Sequence, residues 1–393
     1  RCRFTCVMTS FARKPGSAAW LASKRCHHTC EPATRTKPCG DPGNHNEQPY
    51  HHPADPAGGA ARSDSDALML HRHRSTSICV LGGSGFVGRQ LAGLLVREGY
   101  SVRIPTRNRQ GARKLLVLPG VEIVQADVHD ERSLSRLLSG SDITINLVGI
   151  ANEKGHRGKG FRIAHTELSK KLFTACQENG VERLIQLSTL KANTEHSSSY
   201  YLRTKGQAEK ILKDLAGEEL HLTIFQPSVI FGPEDTFINR IAASLKGLPV
   251  LPLLRPKTQL APVFVGDVAA AIVRSLENSH TYGRTYQLCG PKAYSLSEIV
   301  AYVRDLLGLK RAIVGLPNFL SPLYASVTNY LIPGKPFSLD NLRSMAVGGV
   351  CTKSGLDLLG VKATSMETVV PQYLSPKNHH QRQLSRLRRN AGR

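Results

Sequence analysis

The stretch SICVLGGSGFVGRQLAGLLVREGY, residues 77 to 100, constrains the fold more than any other part of the chain. A β-rich run, ICVL, meets a glycine turn, and the turn opens an amphipathic segment, FVGRQLAGLLVREG, with apolar residues at helical spacing. Gly82, Gly85 and Gly88 stand three apart. The first permits a tight turn after the strand, the second lets backbone approach a pyrophosphate, and the third lets helix and strand pack closely. Phosphates can then rest on the amides at the positive end of the helix dipole. A glycine triplet alone is weak, but between a strand and an amphipathic helix it predicts a dinucleotide site.

The alternation continues. SVRIPT, VEIVQA, DITINLV, RLIQLS and LTIFQP read as strands, separated by helical patterns in RQGARKLLVL, DERSLSRLL, FRIAHTELSKKLFTACQENG and YYLRTKGQAEKILKDLAG. Strands joined by helices of this length need crossovers, which predicts an α/β fold with a Rossmann-type doubly wound parallel sheet. Residues 75–232 are expected to form it. Residues 233–376 are expected to form a small helical and mixed lobe, interleaved with the first domain, over the carboxyl edge of the sheet. Within that lobe Ser295 and Glu298 have the spacing of a capping box.

Charge is uneven. The formal net charge is +22, yet residues 1–76 carry 11 Lys/Arg against 6 Asp/Glu, and residues 377–393 carry 6 against none. A basic body and tail point to anionic partners: phosphorylated cofactors first, and a peripheral contact with an anionic membrane surface. Zinc-finger spacing and RNA-binding aromatic signatures are missing from the sequence, so no nucleic acid is expected. Residues 1–74 are rich in Pro, Gly and His without periodicity and are expected to be disordered or an extension outside the native chain, with Met69 as an alternative start. The tail 377–393 is expected to be disordered as well. CHHTC, residues 26–30, has zinc-like spacing but no surrounding fold to orient four ligands, so no metal is expected. Cys79, Cys176, Cys289 and Cys351 sit singly in apolar patterns, as buried thiols of a reducing compartment do.

Three further groups of residues address chemistry. At the end of the second strand, where an acid would bond the ribose hydroxyls of NAD, stands Arg107, followed by Asn108 and Arg109, which favours NADP(H) over NAD(H). The alternative is a solvated arginine. Asp127 and Val128 follow the third strand, where they can meet an adenine; Val148 and Gly149 follow the fourth, where backbone can lie close to the cofactor. Ser188 ends the fifth strand, and Tyr201 and Lys205 share one helix face at i and i+4. A lysine ammonium beside the phenol would lower its pKa and make Tyr201 an acid or base near neutrality, with Ser188 bonding a substrate oxygen.

With VLGGSGFVGR, ADVHD, INLVGI, SSYYLRTKGQAE, PSVIFGPEDTFINR, VFVGDVAAAI and KPFSLDNLRSM in view, the chain resembles the atypical, extended short-chain dehydrogenase/reductases, whose members include NAD-dependent epimerases and dehydratases. Within them it is similar to the group around the 39 kDa accessory subunit of respiratory complex I and its bacterial homologues. The resemblance implies that Gly82, Ser84, Gly85, Phe86 and Val87 line a pyrophosphate and that Arg107 takes a 2′-phosphate. It also implies that Tyr201 and Lys205 face the nicotinamide ribose and that Pro227, Ser228 and Val229 pass the carboxamide. Three functions stay open: an NADPH holder tied to a respiratory or quinone-related protein partner; an active NADP-dependent reductase, epimerase or dehydratase using Ser188, Tyr201 and Lys205; and an NADPH sensor. The expected location is cytoplasmic, peripheral to the inner membrane, or the mitochondrial matrix in a eukaryote.

Overall fold

A computed structural model of the chain describes residues 76–153, 157–192, 198–217, 219–317 and 339–374. The expectations for residues 1–74, including Met69 and CHHTC, and for the tail 377–393 lie outside the described residues. Through the first half of the described chain, strand and helix alternate: β1 (Ser77–Leu81), α1 (Phe86–Arg97), β2 (Ser101–Thr106), β3 (Val121–Gln125), α2 (Glu131–Leu138), β4 (Ile143–Asn146), α3 (Leu168–Glu178), β5 (Arg183–Leu187), α4 (Tyr200–Ala216) and β6 (His221–Pro227). RQGARKLLVL, expected as a helix between β2 and β3, forms only a 3₁₀ turn over Gln110–Leu115.

Beyond β6 come β7 (Ile230–Phe231), α5 (Ile238–Gly247), β8 (Val250–Leu254), β9 (Gln259–Leu260), β10 (Val263–Phe264), α6 (Val265–Ser275) and β11 (Thr285–Leu288). The last elements are β12 (Tyr294–Ser295), α7 (Leu296–Leu306), β13 (Ala312–Leu316), α8 (Leu339–Met345) and α9 (Met366–Leu374). The main sheet has seven strands in the order β11-β6-β5-β4-β1-β2-β3, and every pairing in it is parallel. β11 crosses back from the later part of the chain to close the sheet's edge beside β6.

β1 shows why such a strand is apolar throughout. Ile78 and Val80 enter one core, with α1 and α6, while Cys79 and Leu81 enter the other, with α2 and α3. Both faces of the sheet are covered, so alternation disappears and each such side chain contributes roughly 1.5–3 kcal/mol of burial. A third apolar cluster joins α5, α7 and α9 through Ile238, Ile299 and Val369. The capping box forms: Ser295 Oγ accepts from the Glu298 amide, and the Glu298 carboxylate accepts from the Ser295 amide at 2.6 Å.

One expectation is overturned. Cys79 and Cys176 are buried free thiols, but Cys289 and Cys351 are joined in a disulfide. Their 62-residue separation hides the pairing in the sequence; the fold lays the segment after Gly349 beside the exit of β11. There the Ser228 hydroxyl donates to Gly349 O at 2.6 Å, and the Ser354 hydroxyl donates to Cys289 O at 3.2 Å.

Candidate functional site

The order of the strands reverses between β1 and β4, and Leu81 lies opposite Asn146 at their carboxyl ends. In a doubly wound sheet this is where a crevice opens. Gly82 turns there with φ +75°, and a Cβ on it would come within 3.1 Å of the Leu147 and Val148 backbone. Gly85 is the N-cap of α1 and carries no side-chain cap, so the first amides of the helix face the crevice unobstructed by a capping side chain. Gly88 packs directly on the backbone of Gly83, which leaves no room for a Cβ. Gly83 itself is a requirement that the triplet does not signal: a Cβ on it would lie 2.9 Å from Ile104 in β2.

Arg89 ties the turn down. Its guanidinium donates to Ser84 O at 2.7 Å and pairs with Glu234 at 2.5 Å, and Lys114 pairs with the same carboxylate. Those two partners hold the Glu234 carboxyl below its usual range, with the Lys114 hydrogen bond the leading cause. Phe86 stands at the rim against Gly232, where a Cβ would be 3.2 Å from the ring, and Val87 packs inward on the core.

Arg107 is exposed at the end of β2, and Asn108 accepts from the Gly111 amide at 3.1 Å. Asp127, also exposed, accepts from the His129 amide at 3.0 Å, while Val128 packs on the second core. The Val148 amide donates to Asn146 Oδ1 at 3.1 Å, and Gly149 lies open at the end of the β4 loop. A Cβ on Gly149 would meet Lys205 Nζ at 3.2 Å. On the far side Pro227 and Ser228 are buried; the Val229 carbonyl accepts from the Val263 amide at 2.9 Å.

Tyr201 and Lys205 share the face of α4 that looks onto these strand ends, yet they do not act on each other. Lys205 is buried, and its ammonium donates to Leu187 O at 3.0 Å and Val148 O at 3.4 Å. Burial pulls its pKa down to about 8, opposed by the Glu209 carboxylate. The Tyr201 phenol moves up, because burial outweighs a hydrogen bond with Thr189. The expected lowering by the lysine is not realised, since the ammonium is turned to main-chain oxygens.

Ser188 and Thr189 divide the roles assigned to Ser188. Neighbours at a strand end point to opposite sides, so one hydroxyl at most can face Tyr201. Thr189 does; Ser188 is buried and faces Glu209 without closing a hydrogen bond of good geometry. Glu209 also accepts two bonds from Gln226, at 2.9 and 2.8 Å.

His165 was not visible as a site residue. It sits in a π-helical stretch, Arg162–Glu167, ahead of α3, with its ring 5.6 Å from that of Tyr201 and edge-on to it. π-Helical turns often accompany functional sites. The Ile150 amide donates to Nε2 at 3.3 Å, which assigns the ring proton to Nδ1 and its 2.9 Å bond to Thr204 Oγ1. The Thr204 hydroxyl in turn lies 2.8 Å from Tyr200 O and 3.1 Å from Tyr201 O. Burial, followed by repulsion from Lys205, drives the His165 pKa down to about 2. The unfolded chain therefore binds a proton below about pH 6.5 that the folded chain refuses, so stability should fall as pH drops from there towards 2. Denaturant unfolding of the wild type and His165→Gln across this window checks it: the variant should show a flatter slope, and identical slopes would remove His165 as the cause.

Among the described residues no cluster of His, Cys, Asp and Glu could hold a metal, and no helix is long and apolar enough to cross a membrane. An open helix N-terminus behind a turn that excludes side chains fits the phosphates of a dinucleotide, and the fold and crevice together define a nicotinamide dinucleotide-binding protein of Rossmann type. The sequence pattern of the NAD dependent epimerase/dehydratase family matches residues 78–289, and the chain belongs to that family. It is 32% identical over 267 residues to NADH dehydrogenase [ubiquinone] 1 alpha subcomplex subunit 9, mitochondrial, of Arabidopsis thaliana, covering 66% of this chain and 65% of that relative, just under two thirds of its length. The Mus musculus protein of the same name is 30% identical over 326 residues, 81% of this chain and 82% of the relative. In fold it is similar to the UDP-glucose 4-epimerase of Thermotoga maritima, with a TM-score of 0.63, 16% identity, and coverage of 78% of this chain and 99% of that one.

Proposed function

We propose that the protein holds NADP(H) at the carboxyl edge of its sheet, as a partner of a respiratory or quinone-linked protein assembly, and that the nucleotide is retained more than turned over. The observation that carries this is the state of the acid/base set. The Lys205 ammonium is committed to Leu187 O and Val148 O, Ser188 is directed at Glu209, and burial holds the Tyr201 phenol protonated. In this reading Gly82, Ser84, Gly85, Phe86 and Val87 bear the pyrophosphate, and Asp127 and Val128 flank the adenine. Lys205 and Tyr201 address the nicotinamide ribose, beside Val148, Gly149, Pro227 and Val229. A bound nicotinamide supplies hydride-transfer chemistry; the residues around it bind, orient and exclude water. The complex I subunits among the relatives support the respiratory partner and a place on the matrix or cytoplasmic side of the inner membrane. The high positive charge supports peripheral contact with its anionic lipids.

Arg107 supports the choice of NADP(H), since no acid occupies the end of β2. Arg107→Ala should weaken NADPH by about 2 kcal/mol, roughly thirtyfold, and leave NADH nearly unchanged, because a charge-assisted bond to the 2′-phosphate is lost. Equal losses by calorimetry for the two nucleotides would remove the phosphate role.

A second reading, an active reductase, epimerase or dehydratase, is favoured by the nearness of the Thr189 hydroxyl to the Tyr201 phenol. The two separate when NADPH-loaded protein is mixed with quinones, ketones and nucleotide sugars and the nicotinamide absorbance is followed. The holding reading predicts no change that depends on Tyr201. A loss of absorbance in the wild type that Tyr201→Phe abolishes would overturn it in favour of the enzyme.

A further inference from the structure

Helix α4 begins with an unusual debt to a distant part of the chain. The first amides of any helix lack partners inside it. Ser199 is the N-cap, and its hydroxyl accepts from the Leu202 amide at 3.4 Å. The next two amides are satisfied from α8: Asp340 Oδ1 accepts from the Tyr200 amide at 2.6 Å, and Asp340 Oδ2 accepts from the Tyr201 amide at 3.1 Å and the Ser199 hydroxyl at 2.8 Å. Asp340 is 9% exposed and lies about 140 residues beyond its partners in sequence. A carboxylate there meets three donors and the positive end of a 17-residue helix, the setting in which charge-assisted bonds are strong.

We propose that Asp340 is a positioning residue for the nicotinamide half of the site: it fixes the first turn of α4 and, through that turn, the place of the Tyr201 phenol. The main chain of Tyr201 is held on both sides. Asp340 takes its amide, while its carbonyl lies beside Thr204, which His165 holds in turn. The next residue of α8, Asn341, donates to Asn152 Oδ1 at 2.7 Å, so α8 joins the β4 loop to the start of α4. The adenosine half, built by Gly82 to Gly88 and Arg107, lies on the other side of the reversal between β1 and β4 and has no share in these bonds. Removing the carboxylate therefore loosens one half of the site and spares the other.

The proposal rests on the reading in which Tyr201 addresses the nicotinamide ribose, and the test separates the two. Nucleotide-free full-length protein is titrated calorimetrically with NADPH and with 2′,5′-ADP, which carries the adenosine and its phosphate but no nicotinamide. Asp340→Asn should weaken NADPH about tenfold, leave 2′,5′-ADP unchanged, and add nothing further in a Tyr201→Ala background. Equal loss for both ligands, or a loss that adds fully to that of Tyr201→Ala, would mean a merely structural role and overturn the proposal. If Tyr201→Ala weakens NADPH and folded Asp340→Asn does not, the proposal alone fails. If Tyr201→Ala leaves NADPH unchanged, the reading fails and takes the proposal with it. Should Asp340→Asn not fold, Ser199→Ala removes one of the three donors and should give the same selective loss at about threefold; unchanged NADPH affinity in that variant overturns the proposal.

Discussion

Reduction of the Cys289–Cys351 disulfide should lower the unfolding free energy by about 4 kcal/mol and the melting temperature by on the order of 10 °C. The bond closes a 62-residue loop that runs through α7, β13 and α8. Opening it returns that loop's entropy to the unfolded chain. It also releases the segment that Ser228 and the Ala261 amide anchor at Gly349 O, 2.6 and 2.9 Å away, and that the Cys351 amide holds at Cys289 Sγ. Scanning calorimetry with and without a dithiol reductant measures the effect, and Cys289→Ser with Cys351→Ser, insensitive to reductant, shows that this bond is responsible. Identical melting of the wild type in both conditions would mean that the pair is not joined in solution.

Gly88→Ala should cost about 3 kcal/mol, the upper range of overpacking penalties, and abolish nucleotide binding. The added Cβ would fall on the Gly83 backbone, and backbone cannot rotate aside as a side chain can. Gly83 is itself confined by Ile104, so α1 would have to move off the sheet and carry the phosphate cradle with it. Gly93 in the same helix is the control. Nothing lies within 4 Å of its Cβ position, so Gly93→Ala should be neutral or stabilise by up to about 1 kcal/mol. Denaturant unfolding and NADPH titration of both variants decide the matter; equal stabilities would show that the turn has room the packing denies.

Much of the fold was legible because its determinants are local. ICVL before the glycines, the spacing of Gly82, Gly85 and Gly88, and the repeating helix-length gaps each follow from backbone sterics and periodic burial within a few residues. The same holds for the i, i+4 face of Tyr201 and Lys205 and for the capping box at Ser295. Legibility ended where side chains choose among partners. The sequence offered Ser188 as the hydroxyl for a substrate oxygen, but just beyond β5 that serine faces Glu209 and its neighbour Thr189 faces the Tyr201 phenol. It predicted that Lys205 would acidify Tyr201, but the Leu187 and Val148 carbonyls at the strand ends captured the ammonium. No local signal marks His165, a polar residue in an otherwise helical pattern, as the link between Ile150 and Thr204.

The sequence by itself determined the parallel sheet, the glycine cradle and the cationic residue at the end of β2, because turn geometry, helix dipoles and two-sided burial act over short stretches of chain. Only the tertiary structure decided that Cys289 meets Cys351, that Ile104 confines Gly83, and that Asp340 caps the helix bearing Tyr201. Those contacts join residues far apart in the chain, and their energies depend on which surfaces packing brings together and which polar groups it leaves in need of a partner.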